Sequence, residues 1–153
     1  MPASPGERVK HATLAATIEH YLAEWHGHSW AHAFHSLIQL GPAALPLLGE
    51  HFDDERNAAL RAEIVAIADQ MRAPEALALF ERALRDSEAP VWKAALDALV
   101  SLPSPAAIAV LEQACREAPE ARTPEDYGAW VAEALQQARS AAEPFAGNEE
   151  EPA

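Results

Sequence analysis

A chain of 153 residues that is 50% hydrophobic can bury one continuous core and is too short to suggest a second domain. Its formal charge of -13, with 24 acidic side chains against 11 Lys and Arg, has the wrong sign for binding nucleic-acid phosphates and favours a basic partner surface. One cysteine, Cys115, excludes an intrachain disulfide, and no stretch nears the roughly 18 apolar residues that span a bilayer, so a cytoplasmic protein without a membrane partner is expected.

Residues 1–6 are rich in Pro, Ser and Gly and read as a flexible N-terminus, with no uninterrupted apolar run of the kind a secretory signal needs. From Arg8 to Trp25 the residues Val9, Leu14, Ile18, Tyr21, Leu22 and Trp25 keep helical spacing, which predicts a first helix covering one end of the molecule. Ser29 to Leu40 predicts a second helix with Trp30, Phe34, Leu37 and Ile38 on one face. Gly41-Pro42 ends it and opens another, because Gly suits a helix C-terminus and Pro a first turn.

Helices are then expected over 42–52, 55–71, 74–85, 87–102 and 105–117. Their inward residues repeat: Leu45, Leu48 and Phe52, then Leu77, Phe80 and Leu84, then Ile108, Leu111 and Cys115. Thr123-Pro124-Glu125-Asp126 has the composition of an N-cap, and the helix it opens, to about Ala142, closes the stack through Tyr127, Val131 and Leu135. Residues 143–153 combine prolines with acids and read as a flexible acidic tail, which leaves 7–142 as a single domain.

The prolines at Pro42, Pro74 and Pro105 mark a period of 32 and then 31 residues, with aliphatics at Leu45, Leu77 and Ile108 and closing acids at Asp54, Asp86 and Glu117. Such a period signals a solenoid, since each unit is too small to bury its apolar face alone and must stack on its neighbours. Frequent alanine allows close helix approach, and no segment alternates as a strand does. The prediction is an all-α protein of seven or eight helices.

This alternation of a long helix, a Pro-containing turn and a helix of the PEALALFERAL and PAAIAVLEQA kind resembles the HEAT-like repeat family over about residues 29–118. The resemblance implies a right-handed α-solenoid of about three helix pairs between capping helices, with a binding role and no catalytic residues carried over. It also implies that the second helix of each pair lines the concave, binding side. Members usually carry an arginine after the Val early in the first helix; here Trp92 follows Val91.

Little in the chain suggests catalysis. There is no Gly-rich phosphate loop and no GxSxG elbow. Five histidines lie between His20 and His35, and His28, His32 and His35 are spaced for one helix face, but no acid or thiol ligand shares that helix. A di-iron hydroxylase built from similar repeats uses His-Glu dipeptides, whereas Glu19-His20 and Glu50-His51 run in the reverse order. The expectation is therefore a non-enzymatic protein without catalytic residues, metal ligands or cofactor, with a histidine metal site as the rival reading.

The candidate partner-binding residues lie opposite the core on the second helices: Glu50 and Asp54, Arg82 and Asp86, Gln113 and Glu117. Asp86 and its counterparts are equally suited to capping the following turn. Trp30 and Trp92 join them, because Trp concentrates at interface hot spots, and Trp92 is expected to be exposed since Val91 already holds the core phase. The function expected is binding of a basic protein partner; one concrete form is an immunity-type inhibitor of a basic toxin, and a structural adaptor is the alternative. The sequence leaves the oligomeric state open.

Overall fold

The computed structural model describes residues 2–102, 104–117 and 127–146, the last four by their helical backbone alone. Among the described residues there are eight α-helices and no strand: α1 Pro5–Leu22, α2 Trp30–Gln39, α3 Leu45–Asp54, α4 Ala58–Gln70, α5 Leu77–Leu84, α6 Ala89–Ser101, α7 Pro105–Glu117 and α8 Tyr127–Ala146. The cap expected at Thr123 to Asp126 and the tail beyond residue 146 lie outside the described residues.

Local chemistry sets the boundaries. Helix α1 starts within the segment expected to be flexible, because Ser4 and Glu7 form a capping box around Pro5 at the first helical position. Asn57 caps α4 through the Ala59 and Leu60 amides, and Ser104 accepts from the Ala107 amide at the start of α7. Helix α2 stops at Gly41, whose φ of 76° suits glycine, and Arg72 also takes a positive φ, 52°, one period later after α4. Pro42 and Pro74 then open 3-10 turns that lead into α3 and α5. At the far end α8 runs four residues past the expected limit at Ala142.

The helices form two layers. One consists of α2, α4, α6 and α8 packed side by side in that order; behind it lie α1, α3, α5 and α7. Helix α6 sits at the centre, touching α4, α5, α7 and α8. This is an α-solenoid: each helix pair finds its core only against the next.

The buried phase corrects part of the expected pattern. Leu45, Leu48 and Phe52 are buried as expected, as are Phe80, Leu84 and Leu111. Leu77, Ile108 and Cys115 are only partly covered, and the fully enclosed column beside them is Ala44, Ala76 and Ala107. Alanines allow the close helix approach, which rotates the larger aliphatics toward the edge of the buried arc. The largest correction concerns Trp92, which is 2% exposed. A helix packed on four neighbours buries a wider arc than one core phase, so both Val91 and Trp92 are inside.

Candidate protein-interaction surface

Trp30, Arg61 and Trp92 occupy equivalent places in successive first helices, 31 residues apart. Arg61 follows Leu60 as Trp92 follows Val91. Its guanidinium reaches the next repeat and binds Asp86 through two nitrogens, at 2.9 and 3.1 Å, while Nη1 donates to the carbonyls of Glu55 and Arg56. The pair is largely enclosed, with side-chain exposures of 14% and 11%. The hydrogen bond to Asp86 holds Arg61 still more firmly protonated, against the opposing effect of partial burial. Asp86 also accepts from the Glu88 amide at 3.0 Å ahead of α6. Asp86 is thus an internal clasp and turn cap.

Trp92 replaces that clasp with an aromatic one. Its ring meets Tyr127 edge-on at 5.1 Å, and Tyr127 donates its hydroxyl to the Leu84 carbonyl on α5, so α8 is fastened to both layers. Trp30 is half-buried against Trp25 and Phe34. Neither tryptophan stands free as an anchor.

The remaining predicted residues lie along α3, α5 and α7. Glu50 and Asp54 are exposed and have no ion-pair partner among the described residues. Arg82 pairs with Asp53 at 3.2 Å across a groove of about 310 Å³ between α3 and α5. Its guanidinium lies where a Cβ on Gly49 would come within 2.7 Å, so glycine makes the approach open. The next groove, between α5 and α7, holds Arg85 between Glu81 at 3.9 Å and Glu117 at 3.7 Å, with Gln113 bonded to Glu117 and accepting from Arg116. The six polar candidates therefore divide: Glu50 and Asp54 project, Arg82, Gln113 and Glu117 belong to a ladder of exposed pairs, and Asp86 lies inside. Such exposed pairs contribute little to stability, about 0–1 kcal/mol each.

A second feature was not foreseen. On the other layer, Trp130 of α8 is 46% exposed and faces a cleft of about 90 Å³ shared with α6. Asp97 and Glu133 line that cleft, and Lys93 Nζ sits 4.8 Å from the Trp130 ring centre. Nearby on α4, burial pushes the Asp69 carboxyl up; Arg72 opposes this and Asp97 adds to it. The signal was available in the sequence, because Trp130 stands one residue before Val131, off the Tyr127–Val131–Leu135 phase. The same argument failed for Trp92 because α6 is central and held for Trp130 because α8 closes the row.

The histidines do not assemble a site. His28 precedes α2, His32 and His35 are exposed on it, and no three His, Cys, Asp or Glu side chains converge on a metal position among the described residues. Nor is any helix among them long and apolar enough to cross a membrane.

Two layers of stacked antiparallel helices, a 31–32-residue period and open inter-helix grooves define a solenoid repeat protein. A family model for HEAT repeats matches residues 45–136, more than half of the chain, and the protein belongs to the HEAT-repeat family. No curated protein and no solved structure matches it. HEAT repeats are generally protein-interaction modules.

Proposed function

We propose that this protein is a non-catalytic module that binds a basic protein partner through the acidic outer faces of the solenoid. The observation that carries the reading is the pairing of four of its cations within the chain beside acids that have no such partner. Arg61, Arg82, Arg85 and Arg139 are each paired with acids of the chain, while Glu50, Asp54 and Glu75 remain exposed without an ion pair among the described residues. Acids of this kind, drawn from an excess of 24 Asp and Glu over 11 Lys and Arg, face outward at these three positions. A stacked repeat offers these groups with little ordering cost, and charge complementarity speeds encounter.

A narrower form of the proposal is an immunity-type inhibitor that covers a basic toxin such as a nuclease; small size, acidity and a rigid helical surface support it. The test is capture with the tagged full chain followed by mass spectrometry, and titration of the recovered protein at rising salt. A basic partner whose binding weakens as salt shortens the Debye length supports the reading. An acidic partner, or binding indifferent to salt, overturns it. Inhibition of the partner's activity in the same mixture supports the toxin form, and unimpaired activity in a stable complex removes it.

A further inference from the structure

We propose that the cleft between α6 and α8 is a pocket for one arginine side chain of the partner, with the Trp130 ring as one wall and the carboxylates of Asp97 and Glu133 as the other. The inference rests on the basic-partner reading and gives it a location. At about 90 Å³ the cleft is far smaller than the roughly 300–1,000 Å³ of ordinary small-molecule sites, and has the scale of a single side-chain head. Leu96, Val100 and Ala134 supply an apolar lining for an aliphatic stem. Such a division between apolar stem, flat aromatic wall and paired acids matches arginine.

The indole already carries a cation of the chain, since Lys93 Nζ lies 4.8 Å from its centre and 5.5 Å from that of Trp92, and in this proposal the incoming guanidinium displaces that flexible ammonium from the ring. It is also held in place. Trp130 meets Trp92 edge-on at 6.2 Å, and the buried Trp92 is fixed in turn by Tyr127. A ring braced in this way loses little freedom when a partner stacks on it. Arginine fits better than lysine, because its planar, weakly hydrated guanidinium stacks on an indole while its edge bonds a carboxylate.

The test titrates the isotopically labelled full chain with acetyl-Arg-Arg-Arg-amide and, separately, with the tri-lysine analogue, and follows indole and backbone N–H signals by NMR. Expected are saturable shifts of the Trp130 indole and of α6 and α8 amides, with the lysine peptide about threefold weaker. The double variant Asp97→Asn, Glu133→Gln, changed only at exposed positions, is expected to lose these shifts while keeping its melting temperature. Equal binding of both peptides, or shifts centred on Glu50 and Asp54, overturns the pocket and leaves the basic-partner reading standing. No shift anywhere overturns both.

Discussion

Trp92 shows how much a single side chain depends on its helix's surroundings. Its removal leaves a large cavity beneath α8 and deprives Tyr127 and Trp130 of their edge contacts. Trp92→Ala is expected to cost about 3–5 kcal/mol in chemical denaturation, whereas Leu77→Ala, only partly buried, is expected to fall below the usual 2–5 kcal/mol for a core leucine. The reverse order would return the core to the phase expected from large aliphatics alone. Asp69 gives a prediction in pH. Its folded carboxyl binds protons more readily than the unfolded one, so its penalty is absent below the unfolded carboxylate range and grows as pH rises through the folded value. Asp69→Asn is therefore expected to raise the melting temperature at about pH 7 and to leave it nearly unchanged at about pH 3.

At the scale of elements, the boundaries were legible where backbone chemistry decides them. Pro105–Glu117 begins and ends as its sequence indicates, and Gly41 breaks the chain as expected, at a positive φ. The facing of each helix was less legible, because the closest packing uses Ala44, Ala76 and Ala107, and alanine is also common on exposed helical surface. The capping box at Ser4 and Glu7 was a readable signal that the Pro and Gly content of residues 1–6 concealed. Between elements the Arg61–Asp86 clasp joins the α3–α4 connection to the α5–α6 turn. Breaking such a largely buried pair leaves one charge without its partner, so Arg61→Ala is expected to cost about 3 kcal/mol by denaturant melt. Asp86→Ala should cost a similar amount, and the double variant less than the sum of the two.

For the whole molecule, the period of 31–32 residues settled the stacked architecture before any side chain was placed, because repetition at that length allows few other ways to build a core. The binding surface was only half legible. Glu50 and Asp54 project as expected, but the exposed tryptophan is Trp130, and several intended contact residues hold the repeats to one another. Sequence separation explains this: Arg61 meets Asp86 from 25 residues away, and Arg82 meets Asp53 from 29, so these pairs exist only once the layers are assembled. The outward acids Glu50 and Asp54, the Trp130 ring and the shallow grooves are the features on which the proposal of a basic partner rests.

The central claim is that outward acidity draws a basic protein to this solenoid, and the most direct test is the dissociation constant of the captured complex measured across salt concentrations. The account predicts that affinity falls steadily as ionic strength rises, and falls less steeply when Glu50, Asp54, Asp97 and Glu133 are made neutral together. An affinity that stays constant with salt, and is unchanged by that neutralisation, would contradict it.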